Sequence, residues 1–421
     1  MPVNTKSSIY FSVTKTLYKF LSLIGDPLGK FNASPDMETF AKKSKPTRVQ
    51  KSITGILISA DHQVCSEVMK SPNWLSRPLA ERLYVSANTY EPESIHPFLE
   101  SIISLDGPDH KRIKKLMQVA FSKSVLESWE ESSRAEAKKL LQNIESKTEF
   151  DFVAEIANPL PLAIISEIIG VPEEYRKQCS DWGRTLGSIG LDLPTSNQEL
   201  RELEIATVGL IGLTTNLLEQ RRANPKNDLL SSMAKAQADG EELTDREIIA
   251  SAAFTLIAGF ETTANLLSVG TLALLENPEQ LALLAKNRDL LPNFIEEALR
   301  VSSPIQFVVR TADSKMQLPD GTIARKGQSI LLNLAGANRD PKVFTDPDSF
   351  DINRENARKN VAFGFGAHHC IGSTLARVEA EALWGELLTR FPDVNSWKLT
   401  GKAEFRVGKL IKSLSSLPIS L

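Results

Sequence analysis

Residues 363–377 read Phe-Gly-Phe-Gly-Ala-His-His-Cys-Ile-Gly-Ser-Thr-Leu-Ala-Arg, and the rest of the chain is best read outward from them. Gly364, Gly366 and Gly372 bracket Cys370, and a helical pattern starts directly afterwards. Glycines at this density permit positive φ and close backbone approach to something bulky. A cysteine at a helix N-terminus receives backbone N–H groups and the positive end of the helix dipole, which favour thiolate over thiol. Such a thiolate is a nucleophile or a metal ligand. His368 or His369 could supply the base that a nucleophile needs. A lone thiolate with no second cysteine nearby suits haem iron better than zinc or an iron–sulfur cluster. The other two cysteines, Cys65 and Cys179, complete neither a disulfide framework nor a zinc site and read as core residues in a reducing compartment.

The chain has 421 residues, 42% of them hydrophobic, enough for a deep core. Length alone allows nearly three domains at about 150 residues each. No repeat, low-complexity segment or flexible linker divides the sequence, which predicts a single domain over 1–421. The net charge of −3 argues against general nucleic-acid affinity. That charge is unevenly spread: residues 1–50 hold eight basic and three acidic side chains, +5, leaving −8 for the remainder. In this basic arm Ile9, Val13, Leu17, Phe20 and Ile24 recur at helical steps. Lys15 and Lys19 interrupt the run, so it is no transmembrane segment or signal peptide. The expectation is a short helix docked on the body by this apolar face, with contact to an anionic membrane as the alternative.

Long helical patterns dominate from about residue 109 to 300. They include 126–146, 197–222 with a stripe of Leu203, Ala206, Leu210, Leu213 and Leu217, about 246–276 capped by Asp245, and 289–301. Extended stretches are sparser, at 52–59, 305–311, 328–334 and 407–411, with a turn at Pro319-Asp320-Gly321. The fold class is mainly α with a minor β-sheet region.

Two helical segments contain local anomalies. Glu297 and Arg300 stand three apart on one face, an ordinary surface ion pair if taken alone. Residues 258–263, Ala-Gly-Phe-Glu-Thr-Thr, set Gly259, Glu261, Thr262 and Thr263 in an otherwise apolar helix. Glycine costs about 1 kcal/mol against alanine there. Threonine can bond back to the carbonyl four residues earlier and bend the helix.

These stretches together resemble the cytochrome P-450 family. Phe363, Gly364, Gly366, His368, Cys370 and Gly372 match its haem signature, Glu297-Ala-Leu-Arg300 its Glu-x-x-Arg helix, and 258–263 its oxygen-binding segment. The resemblance implies a cytochrome P-450 fold and haem b with Cys370 as axial thiolate, Phe363 packed by the sulfur and Ala258 against the cofactor. It implies His368, His110, Lys114 and Arg310 toward the haem propionates; His110 and Lys114 come from a second matching segment, Asp106-Gly-Pro-Asp-His110-Lys-Arg-Ile-Lys114. It assigns Arg354 to a buried structural network with Glu297 and Arg300. It makes Thr262 and Glu261 the catalytic pair for oxygen, one steadying it and the other relaying protons.

The resemblance further implies a cytoplasmic monooxygenase that hydroxylates or otherwise oxidises a small-to-medium apolar substrate. The sequence ends 51 residues after Cys370, so electrons are expected from a separate ferredoxin or flavodoxin with its reductase, unless peroxide replaces them. Lys111, Arg112, Lys114, Lys115 and Arg377 would form the patch that steers an acidic partner. Ile189, Leu191, Phe254, Ala258, Ile305, Phe307 and Leu410 are candidate pocket liners, apolar as a substrate of that kind requires. A non-catalytic haem gas sensor and a haem-free thiol enzyme using Cys370 and His368 are the rival readings; a sensor would not need Glu261 and Thr262.

Overall fold

The computed structural model describes residues 16–34, 37, 39–40, 48–78, 94–121, 123–187, 196–406, 408 and 410–421. The first helices are 16–23 and α1 (Pro27–Ala33), followed by α2 (His62–Lys70), α3 (Gly107–Met117) and α4 (Lys123–Gln142). Then come α5 (Pro159–Ile169), α6 (Glu173–Thr185), α7 (Asn197–Ala223), α8 (Leu229–Ala238), α9 (Asp245–Glu276), α10 (Pro278–Lys286), α11 (Leu291–Ser302) and α12 (Ser373–Arg390). Strands β1 (Gln50–Lys51), β2 (Leu57–Ser59), β3 (Trp74–Leu75), β4 (Phe307–Ala312) and β5 (Ser329–Asn333) form one sheet in the order β1-β2-β5-β4-β3. The turn at Pro319-Asp320-Gly321 joins Met316–Gln317 to Ile323–Ala324 in a small separate hairpin. Part of the expected strand 407–411 lies outside the described residues; beyond it Leu414–Ser416 pairs with Glu404–Phe405.

Helix α9 is the axis of the core. From Ile248 to Leu274 every side chain is buried except Phe254, Ala258, Gly259 and Thr262. It is long and apolar enough to cross a membrane, but 78% of its apolar stretch is buried within the protein. Its start corrects the expected cap. Thr244, not Asp245, is the N-cap: its hydroxyl accepts from the Glu247 amide at 3.2 Å while Glu247 Oε2 accepts from the Thr244 amide at 2.8 Å. Asp245 sits one residue inside and pairs with Arg222 at 2.5 Å.

Gly259 has a packing reason that local propensity could not reveal. A Cβ there would meet Ile165 Cδ1 and Cγ1, both at 2.6 Å, so only glycine lets α9 and α5 approach this closely. Gly170 closes α5 in the left-handed region at φ +97°. Its carbonyl accepts from Arg221, which also donates to Asp228 at 2.5 Å, and both charged groups are buried.

The sheet is covered on both faces, and so β5 carries no alternation of polar residues. Leu57, Ile330 and Leu332 face α2, while Ile58 and Leu331 face Leu21, Leu28, Met37 and Phe40 of the N-terminal arm. The arm therefore docks, but not by the expected stripe. Leu21 is buried whereas Leu17, Phe20, Leu23 and Ile24 are exposed, and Ile9 and Val13 lie outside the described residues. The last turns of that helix are apolar nearly all round, so periodicity could not select the docked side. Contact with α1 selected it: a Cβ on Gly29 would fall 2.2 Å from the Leu21 backbone.

Gly170→Ala should be costly, because the new Cβ would stand 2.2 Å from Asp228 Oδ2 at a positive φ. Urea titration is expected to register a loss of at least about 2 kcal/mol.

Candidate active site

Cys370 sits in a tight loop three residues before α12. Gly364 (φ +65°) and Gly366 (φ +70°) provide the left-handed turns. At Gly366 a Cβ would be 2.5 Å from the Met69 carbonyl oxygen, so the loop lies directly on the end of α2. The Cys370 amide donates to the Phe363 carbonyl at 3.0 Å, and the Arg377 guanidinium covers the Phe363 ring at 4.5 Å. Burial pushes the thiol up, against the Gly372 amide and the charges of Lys114 and Arg377, which pull it down. Cys370 nevertheless keeps accessible surface, even though the protein packed around it makes burial the largest influence on its thiol.

Adjacent glutamates on α11 hold the segments on either side of this loop. Glu297, fully buried, accepts from Arg300 Nε and Nη2 at 2.7 and 2.8 Å and from Arg354 Nε at 3.1 Å. The remaining donors of both arginines go to carbonyls of Asn338, Thr345, Asp346, Pro347 and Ser349. Glu296 accepts from Arg377 Nε at 2.7 Å and Asn360 Nδ2 at 2.9 Å. Sequence reasoning missed Glu296; its position beside Glu297 was the available signal.

Above the loop, α3 and β4 bring basic groups together. The His110 and His368 rings are 4.3 Å apart. His110 is pushed down to about 4 by burial and then by the charges of His368 and Lys114. Burial, opposed by the hydrogen bond to Asp106, leaves His368 below its ordinary value too. Arg310 on β4 is pulled down to about 10 by burial. Lys114 donates to the carbonyls of Ala367 and His369 at 2.5 and 3.0 Å, which ties α3 to the cysteine loop. Asp106, also missed, is the acid among these bases. Burial pushes its carboxyl up, but hydrogen bonds from His368 and the Arg77 and Ser76 amides outweigh this and hold it low.

On α9 the partly exposed residues Phe254, Ala258 and Thr262 recur every four residues and form one stripe. Thr262 Oγ1 donates to the Ala258 carbonyl at 2.7 Å, yet the helix is unbroken from Asp245 to Glu276. Glu261 points to a different side, 4.0 Å from Arg406 and tight beneath Gly187, where a Cβ would meet its Oε2 at 2.3 Å. Of the candidate liners, Phe254, Ile305 and Leu410 are partly buried, Ile189 and Leu191 lie outside the described residues, and Phe307 is no liner: its ring packs edge-on against Phe31 of the N-terminal arm at 5.4 Å. The expected basic patch is thinner than its sequence suggests. Arg112 is paired with Glu247 at 2.5 Å and Arg377 with Glu296, leaving Lys111 and Lys115 exposed.

Among the described residues no three His, Cys, Asp or Glu side chains converge as a metal site. One cysteine suits an iron that brings four nitrogen ligands of its own, as haem does. The cluster of His110, Lys114, Arg310 and His368, whose charges oppose one another, suits the carboxylates of such a group.

Sequence comparison adds the decisive observation. A biotin-biosynthesis cytochrome P450 of Bacillus subtilis is 36% identical over 317 residues, covering 74% of this chain and 78% of that protein. The chain belongs to the cytochrome P450 family. Cytochrome P450 CYP107DY1 of Priestia megaterium is 34% identical, covering 76% of this chain and 77% of its own, and the Cytochrome P450 family profile matches residues 191–398. Among solved P450 structures, P450BioI in complex with a hexadecenoic-acid-ligated acyl carrier protein superposes with a TM-score of 0.81 at 29% identity, covering 91% of this chain and 98% of that one. The testosterone complex of CYP109E1 from Bacillus megaterium gives 0.80 at 28%, covering 91% and 96%. P450s are monooxygenase oxidoreductases that bind haem b through an axial cysteine thiolate.

Because His110 titrates near 4 in the fold and near 6.5 when unfolded, the folded state favours its neutral form. The stability this gives is complete above pH 6.5 and is lost as pH falls toward 4. Haem-free protein should lose up to about 3 kcal/mol across that interval by denaturant titration, and His110→Gln should flatten the profile.

Proposed function

We propose that this P450 is a cytoplasmic monooxygenase acting on a small-to-medium apolar molecule, with electrons from a separate ferredoxin or flavodoxin and its reductase. The reading is carried by the Cys370 loop: a lone thiol in a glycine-turned loop at the head of α12, beneath four basic groups. In it Cys370 would hold the haem iron through its thiolate, with Phe363 and Gly364 shaping the loop. His110, Arg310 and His368 would hold the propionates, and Lys114 holds the loop to α3. When bound, the haem supplies the chemistry of O2 activation, one oxygen atom going to the substrate and the other leaving as water. Glu297, Arg300 and Arg354 are structural. The whole described chain serves this one catalytic unit.

The protein's own part in the reaction lies on α9. Ala258 and Phe254 border the site, and Thr262, whose hydroxyl is anchored on the Ala258 carbonyl, presents an oxygen that can take and give a proton there. Glu261, beside Arg406 and on a different side of the helix, exchanges protons with the solvent side. This acid–alcohol pair favours reductive use of O2 over a peroxide shunt or a gas sensor. The raised thiol of Cys370 and the engagement of His368 with Asp106 and Ser76 weigh against a haem-free thiol enzyme. Phe254 and Ile305 suit an uncharged substrate, and the fatty-acyl and steroid ligands named for the similar structures are of that kind. Lys111 and Lys115 steer the acidic electron donor.

Reduced protein under carbon monoxide should show the red-shifted absorption of thiolate ligation, and Cys370→Ala should abolish it while the far-ultraviolet circular dichroism stays unchanged. A folded protein without that band sinks the proposal. Thr262→Ala should keep the band but lower the yield of product per electron consumed by roughly tenfold, compared as NAD(P)H oxidised against product formed.

A further inference from the structure

The exposed apolar residues of the N-terminal arm are not scattered. Leu17, Phe20, Leu23 and Ile24 lie on and just beyond one short helix, with Leu23 86% exposed. The β1–β2 turn meets this segment: the Ile53 amide donates to Asp26 Oδ2 at 2.8 Å, and Ile53 is itself 69% exposed. Two separate pieces of chain therefore present aliphatic side chains to water at adjoining positions. Single exposed leucines are ordinary, whereas a cluster contributed by two elements marks an interaction surface.

Cations flank it. Behind Ile53 the turn borders an open cleft of about 330 Å³ lined by Lys51, Thr54, Gly55, Arg325, Lys326 and Gln328. Lys51, Arg325, Lys326 and Lys19 are exposed and pair with no carboxylate among the described residues. The nearby acids are committed elsewhere, Asp26 to the amides of Leu28 and Ile53, Asp320 to Val49 and Thr322. The sequence of the first fifty residues adds a net +5 on a chain that is otherwise negative.

We propose that this face docks on the surface of an anionic lipid bilayer. The aliphatic side chains enter the headgroup layer, while Lys19, Lys51, Arg325 and Lys326 meet lipid phosphates, the pattern that holds interfacial amphipathic segments. A second copy of the chain fits less well, since a twofold contact through this face would oppose cations to cations. Nucleic acid would match the cations but leave the aliphatic residues in water.

The test is co-sedimentation of the full-length, haem-loaded protein with phosphatidylcholine vesicles and with mixed phosphatidylcholine–phosphatidylglycerol vesicles. Binding is expected to the mixed vesicles, at least about tenfold weaker to the neutral ones, and to weaken with added salt. The double variant Leu23→Asp/Ile53→Asp should lose at least about tenfold in vesicle affinity with an unchanged haem spectrum. Arg325→Glu/Lys326→Glu should weaken binding to mixed vesicles alone. Failure to bind mixed vesicles, equal binding to both kinds, or full binding by the aspartate variant would overturn the proposal. So would a dimer in sedimentation velocity that the aspartate variant abolishes without any vesicle binding.

Discussion

A carboxylate that water cannot reach has to be paired, and Glu297 is paired with two guanidinium groups at once. Removing one member of such a buried set costs about 3–5 kcal/mol, because the survivors are left charged and unmatched. The arrangement also places demands on the chain around it. Two arginines carry more donors than one carboxylate accepts, so the backbone between Asn338 and Ser349 has to turn its carbonyls inward. An irregular segment with little secondary structure thereby acquires a fixed path. Glu296 does the same for Asn360 and Arg377, one on each side of Cys370. The position of the cysteine thus derives from a helix turn some seventy residues earlier in the chain.

The basic cluster obeys a different rule. His368, Lys114 and Arg310 each make it harder for His110 to carry charge, Lys114 and Arg310 do the same to His368, and a single acid, Asp106, stands among them. A protein gains nothing in stability from crowding like charges into a poorly hydrated space. Such a cluster makes sense as preorganisation for an anionic group, with part of the electrostatic cost already met in the fold.

The parts of this structure that were legible in the sequence are those where chemistry restricts the residue type. Cysteine between glycines, glutamate three before arginine and threonine beside glutamate in an apolar helix are all improbable on local grounds, so they announce themselves. What escaped were roles that depend on a partner distant in sequence. Asp106 stands in the sequence only as the first residue of a matching segment, but it spends its oxygens on the amides of residues 76 and 77. Arg112 reads as a surface cation but meets Glu247, 135 residues away. The docked side of the N-terminal helix was ambiguous because its apolar residues nearly encircle it, and only Gly29 and the sheet face beneath decide which of them is covered.

The contact between Gly259 and Ile165 has a consequence for how the enzyme can diversify. Ile165 belongs to a helix behind the pocket wall, yet its side chain fits a notch one residue from Ala258 and three from Thr262. Changing the bulk at Ile165 would let α9 settle nearer or force it farther away, moving both residues without altering either. On the proposed reading, substitution in this outer layer can therefore resize the pocket and change what it accepts while Ala258 and Thr262 stay the same.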